Sequence, residues 1–141
     1  MAKPDEAPDQ LRITTAPADL ARLYPWLDDA GARHNLAPKF LDAMHVTLEE
    51  AVMNVVMHAA LPEEAPEILI QFTAAPGFAE LLIEDAGQEF NPVTAPEKPR
   101  PKSLAEAEPG GMGLKLLRRY CTDMAYERTG GRNRLMLRFV L

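Results

Sequence analysis

The sequence predicts an α/β (α+β) two-layer sandwich, with one mostly antiparallel sheet of about five strands under three helices. Three observations carry this. Two apolar runs flank Ala75-Pro76-Gly77, a turn tripeptide that joins strands into a hairpin. Two further strand-like runs close the chain around Thr129-Gly130-Gly131. From Pro17 to Asn35 and from Pro38 to about residue 60, apolar residues recur at the 3.6-residue helical period rather than by alternation.

The elements follow in order. Residues 1–9 are polar and Pro-rich, as expected of a flexible tail ahead of a single domain over 10–141. Leu11, Ile13 and Thr15 alternate with Arg12 and Thr14, marking a short strand. From Pro17 to Asn35, Leu20, Leu23, Trp26, Leu27 and Ala30 share a helical face, and Pro25 either kinks that helix or splits it. Pro38 suits a first turn and opens a long helix running to about residue 60. Strands are expected at Ile68–Phe72 and Ala79–Asp85. Residues 91–109 have no consistent period and hold Pro92, Pro96, Pro99, Pro101 and Pro109; a loop of this length in a compact domain is functional or disordered. Gly110-Gly111-Met112-Gly113 then opens a helix from Leu114 to Tyr120. In the last strand Leu135, Leu137, Phe139 and Leu141 point one way, and Arg134 and Arg138 the other.

Composition excludes several classes. At 141 residues, 47% apolar and 26% charged, the chain can bury a core without disulfide staples. Its one cysteine, Cys121, rules out an internal disulfide and a multi-cysteine zinc site, and reads as a small buried hydrophobe. No apolar run approaches a membrane span and no signal-peptide h-region follows Met1, so a cytoplasmic protein without membrane attachment is expected. The net charge of −6 is uneven: residues 1–70 carry 5 basic against 12 acidic groups, and residues 71–141 carry 10 against 9. No basic stripe with interleaved aromatics is present, which argues against direct nucleic-acid binding. The acidic half suits either a basic protein partner or plain solvation.

Chemistry concentrates in three segments. On the long helix, Glu50, Asn54 and His58 form a polar column at four-residue spacing beside the apolar column Met44, Leu48, Ala51, Val55 and Ala59. An amide on such a shoulder is costly unless a neighbour or a ligand satisfies it. Asp85-Ala86-Gly87 ends an apolar strand; its carboxylate either forms a turn or points into a pocket as an acceptor for an amino group, with Phe90 as a shield. Gly110-Gly111-Met112-Gly113 before a helix is either a plain turn or an anion cradle, because free N–H groups and the positive dipole end meet there. It matches neither the GxxxxGK[ST] nor the GxGxxG fingerprint. Lys102 and Lys115 are candidate phosphate contacts. His58 reads as a structural histidine, His34 and His45 carry no motif, and Met44, Met53, Met57 and Met112 read as core or pocket lining.

The order and spacing of these segments are specific: a helical ExxxNxxxH, a strand ending in DxG, a long loop and a GGxG helix start. Together they resemble the nucleotide-binding boxes of the GHKL ATPase superfamily, whose ATP-binding fold is the Bergerat fold. From about Leu11 to Leu141 the chain is similar to the stand-alone anti-sigma-factor serine/threonine kinases of that group. The resemblance rests on Glu49 to His58, Asp85 to Pro92, Gly110 to Leu114, and the closing Tyr126-Glu127-Arg128 with Gly131 to Leu135.

That resemblance implies ATP and magnesium as cofactors, with Asn54 as the magnesium ligand and Glu50 as the general base. It implies Asp85 as the acceptor for the adenine amino group, Gly87 as the place where the base meets the backbone, and Phe90 beside it. Gly110, Gly111, Met112, Gly113 and Leu114 would wrap the phosphates, and residues 91–109 would form the ATP lid. Many superfamily members carry a second glycine where this chain has Glu89; the anti-sigma branch often has another residue there, followed by Phe as here. The implied function is a partner switch. A homodimeric kinase phosphorylates an anti-anti-sigma-type antagonist and sequesters a sigma factor or another target. An ATP-binding regulatory module without kinase activity is the alternative, and a detached histidine-kinase catalytic domain a weaker one.

Overall fold

The computed structural model describes residues 9–59, 67–94 and 113–141, the side chains of 113–116 excepted. Its elements are β1 (Gln10–Ile13), α1 (Pro17–Leu20), α2 (Leu23–Arg33), α3 (Pro38–Asn54), a π-helical turn (Val55–Ala59), β2 (Ile68–Ala75), β3 (Phe78–Asp85), α4 (Gly113–Tyr120), β4 (Asp123–Thr129) and β5 (Arg132–Val140). The strands form one sheet in the order β1-β2-β3-β5-β4, and every neighbouring pair is antiparallel. With α2, α3 and α4 this is the expected two-layer sandwich, preceded by the one-turn α1.

Register aligns one residue from each strand in rows across the sheet. Ile70, Ile83 and Leu135 form one inward row, and Phe72, Leu81 and Leu137 the next. All six are buried, and α3 with the start of the π-helical turn covers them through Met44, Leu48, Ala51, Val52 and Val55. The apolar helical column expected from spacing is therefore the helix side of the core. Burying each such Leu, Ile or Val is worth about 1.5–3 kcal/mol. The opposite face of the sheet carries cross-strand ion pairs instead: Glu84 with Arg132 at 2.5 Å and Arg134 at 3.8 Å, and Glu80 with Arg138.

Both hairpin turns join their strands through two residues. Gly77 adopts φ 88° behind Pro76, and Ala75 pairs with Phe78. Gly130 and Gly131 both have positive φ, 59° and 75°, between the pair Thr129 and Arg132. Two consecutive left-handed residues define the type I′ turn, whose twist matches that of the strands.

Several expectations shift. The helix expected over Pro17–Asn35 is two helices, and the break falls at Ala21–Arg22 rather than at Pro25. Pro25 sits in the first turn of α2, where it needs no N–H partner; an uninterrupted helix would drive its ring into the Ala21 carbonyl. The long helix reaches residue 59, but its last turn is π-helical. Thr15 lies outside β1, and Thr14 instead donates through N–H and Oγ1 to Asp19 Oδ2 at the start of α1. Leu141 follows β5 and is exposed, as is Met57. The expected tail (apart from Asp9), residues 95–109 of the expected lid, and Gly110, Gly111 and Met112 lie outside the described residues.

Candidate functional site

Among the described residues four polar side chains are buried: Thr47, Asn54, Asp85 and Asn133. Thr47 is satisfied within its own helix, donating to the Ala43 and Met44 carbonyls. The other three line a single small cavity with Ala51, Val55, Ala59, Ile83, Phe90, Pro92, Tyr126 and Leu135. A core does not bury three polar groups in one place without a partner for them. A larger cavity of about 340 Å³ lies on the far face of the sheet, among Gln71, Glu80, Leu82, Arg134 and Met136, and holds none of Glu50, Asn54, Asp85, Gly87 and Phe90.

Each side chain arrives through its element's period. Asp85 closes the inward set Ala79, Leu81, Ile83 of β3 and is 2% exposed. Asn133 opens the inward set of β5, and the two are direct cross-strand partners. Asn54 ends the α-helical part of α3, one turn after Glu50.

The loop after β3 is held against the end of the long helix. A helix C-terminus leaves carbonyls without partners in the next turn. Here Gln88 takes two of them, donating its N–H to Ala59 O at 2.9 Å and its Nε2 to His58 O at 2.7 Å. Gly87 N–H folds back to Asp85 Oδ1 at 2.8 Å. A Cβ on Gly87 would lie 2.3 Å from Ala59 O, so this crossing of backbones admits glycine alone. His58 stacks on Phe90 with ring centroids 4.6 Å apart. His58 lies in the π-helical turn, which interrupts the α-helical spacing of the expected Glu50, Asn54 and His58 column. The structural reading of His58 fits this place.

Asn133 is the site residue that sequence reasoning missed. Its Nδ2 donates to Asp85 Oδ1 (3.0 Å) and Gln88 O (2.8 Å). Its Oδ1 accepts from Phe90 N–H (3.2 Å), Tyr126 O–H (2.5 Å) and Arg128 Nη1 (3.1 Å). Arg128 Nη1 also donates to Gly87 O at 2.8 Å. Burial, and next the Glu89 carboxylate, raise the pKa of Tyr126, which keeps it a protonated donor. The signal was available: a polar residue in phase with Leu135, Leu137 and Phe139 marks the end of an inward face as surely as Asp85 does on β3. The contribution of Tyr126 and Arg128 needed the register of β4.

Glu50 and Asn54 differ from this saturated network. Glu50 is half-buried, and its Oε2 has no hydrogen-bond partner among the described residues; neither has Asn54 Nδ2. Burial, and secondarily the exposed Glu49 carboxylate, raise the Glu50 pKa above the ordinary glutamate value. Among the described residues Glu50 Oε2 and Asn54 Nδ2 are left without partners on one helix flank; the nitrogen can donate to a phosphate oxygen or a metal-bound water, and the amide oxygen is the atom that could ligate magnesium, which takes oxygen ligands and keeps several waters. The residues therefore fit the cofactors that the motif implies. The cavity below them is about 20 Å³, room for about one water. Phe90 and Pro92 are among its lining residues, and it is too small for a purine as it stands. Gly113 opens α4, whose buried Leu117 packs into the core, and α4 lies against α3. The side chain of Leu114 lies outside the described residues.

Residues 13–139 match the histidine kinase-like ATPase domain family. Over 128 residues, covering 91% of this chain and 89% of the relative, the sequence is 31% identical to a protein named serine/threonine-protein kinase BtrW of Bordetella bronchiseptica.

Proposed function

The chain belongs to the histidine kinase-like ATPase family, and from that premise we propose that it is a serine/threonine protein kinase acting with ATP and magnesium. Its substrate is a protein antagonist of the anti-anti-sigma type, and its unphosphorylated output is sequestration of a sigma factor or an analogous target, in a homodimer. The name of the relative supports the choice of serine or threonine. The observation that carries the reading is Glu50. Its carboxylate is half-buried, its Oε2 has no partner among the described residues, and it stands one helical turn from Asn54, which lines the Asp85 cavity.

The chemistry assigned to the chain is positioning and proton movement. Asn54 offers its amide oxygen to the cation, and Asp85 offers a carboxylate to the base. Glu50 accepts the proton of the incoming hydroxyl as that oxygen bonds to the γ-phosphorus and the bond to the β–γ bridging oxygen breaks, leaving ADP. Burial raises the basicity of the carboxylate, which suits it to this task near neutral pH. Magnesium, when bound, supplies neutralisation of phosphate charge.

A transfer assay tests this. Incubation with γ-labelled ATP and a candidate antagonist encoded nearby should yield acid-stable phosphoserine or phosphothreonine. Acid-labile phosphohistidine would indicate a histidine-kinase catalytic domain instead. ATP binding without transfer to any such antagonist would indicate a binding module.

A further inference from the structure

Asn133 uses its whole hydrogen-bonding capacity inside the site. The two hydrogens of Nδ2 go to Asp85 Oδ1 and Gln88 O, and three donors converge on Oδ1 from Phe90, Tyr126 and Arg128. This pattern admits one orientation of the amide, since a flip would aim its NH₂ group at three other donors. Asp85 is consequently held at one oxygen: both of its hydrogen bonds, from Gly87 N–H and from Asn133 Nδ2, fall on Oδ1. Among the described residues both donors use Oδ1, so Oδ2 is the oxygen we assign to a ligand. Ile68, Asp85, Asn133 and Arg128 form one row across β2, β3, β5 and β4, so the arrangement is built on strands, with only Gly87, Gln88 and Phe90 on a loop.

We propose that Asn133, locked by Tyr126 and Arg128, is a positioning residue that fixes the Asp85 carboxylate for a 6-aminopurine and so sets the base specificity of the site. The inference rests on the ATP-binding reading above and adds to it a second residue, which acts through Asp85 rather than on the nucleotide. Without the Asn133 amide, Asp85 keeps, among the described residues, the Gly87 N–H alone and can rotate, and the loop from Gly87 to Phe90 loses two of its anchors. Selectivity for the amino group should then fall further than affinity for the rest of the nucleotide.

The test compares ATP with purine riboside triphosphate, which carries hydrogen in place of the 6-amino group. Both are titrated calorimetrically, with magnesium, into the full chain. The parent should prefer ATP by roughly tenfold or more, the worth of one hydrogen bond to a charged group. In Asn133→Ala that preference should drop to about threefold or less. Arg128→Ala alters an exposed side chain and should fold normally; it should give an intermediate preference. Equal weakening of both nucleotides in Asn133→Ala, with the preference intact, would make Asn133 a packing residue and overturn the proposal. If that variant does not fold, an unchanged preference in Arg128→Ala overturns it equally. A parent that binds both nucleotides equally well overturns the role of Asp85 and this inference, but leaves nucleotide binding standing. A parent that binds neither overturns the ATP reading itself.

Discussion

At the scale of single residues, Glu50 shows how burial turns a common carboxylate into a candidate base. Removing its hydration disfavours the charged form and raises its proton affinity. Glu50→Gln keeps size but cannot take a proton, so transfer to the antagonist should fall roughly 100-fold or more, with ATP affinity nearly unchanged. Glu49→Gln is the control: one residue along the helix it turns about 100° away, and transfer should stay near the parent level. The same burial predicts a pH effect on stability. A carboxylate whose folded pKa is raised binds protons more tightly in the folded state, so its charged form weakens the fold above that pKa. Glu50→Gln should therefore melt higher than the parent at pH 8. The gap should close as pH falls through the raised pKa, toward and below the ordinary glutamate range. In the parent, transfer should decline over the same descent as the base is protonated. A melting difference independent of pH would mean that Glu50 is a solvated carboxylate.

At the scale of elements, the junction between the π-turn and the β3 loop determines where the site sits. The helix end has carbonyls to satisfy, and Gln88 satisfies those of His58 and Ala59. Glycine at 87 lets the two backbones cross. Gly87→Ala forces this crossing apart, because the obstructing atom is a backbone carbonyl rather than the end of a flexible side chain. Overpacking of this kind costs about 1–3 kcal/mol, measurable by urea denaturation. The shift should also move Asp85 and Gln88, lowering ATP affinity beyond what the stability loss alone explains. Full retention of both stability and affinity would mean that the loop docks more loosely than these distances indicate.

At the scale of the molecule, the three buried polar groups of the candidate site come from α3, β3 and β5 and meet only in the folded chain, so a ligand held there would couple its binding to folding. A nucleotide that binds only the native state should raise global stability by about 2.7 kcal/mol at 100 times its Kd. Thermal melts with ATP should show this stabilisation with magnesium and lose most of it when magnesium is chelated. In Asn54→Ala the stabilisation should be small and nearly independent of magnesium, since the amide is the cation ligand assigned to the helix. Undiminished magnesium-dependent stabilisation in that variant would move the metal site elsewhere. No helix among the described residues is long and apolar enough to cross a membrane.

The sequence by itself determined the elements, their faces and part of the site, because these depend on local periods. Helical spacing put Met44, Leu48, Ala51, Val55 and Ala59 in the core. Alternation put Ile83 and Leu135 there, and the turn glycines marked both hairpins. Asn54, Asp85 and Gly87 were legible as candidates because a polar residue or a glycine beside an apolar run stands out on one element, and Phe90 followed as an apolar shield close after Asp85. Only the tertiary structure decided what depends on two elements at once. Strand register set Asn133 against both Asp85 and Arg128, which no single period contains. The last turn of the long helix proved π-helical, and His58 stacks there on Phe90. The break before α2 fell at Ala21–Arg22, because a proline ring acts on the carbonyl four residues earlier. Local sequence specifies which way each side chain faces; only packing specifies what it meets there.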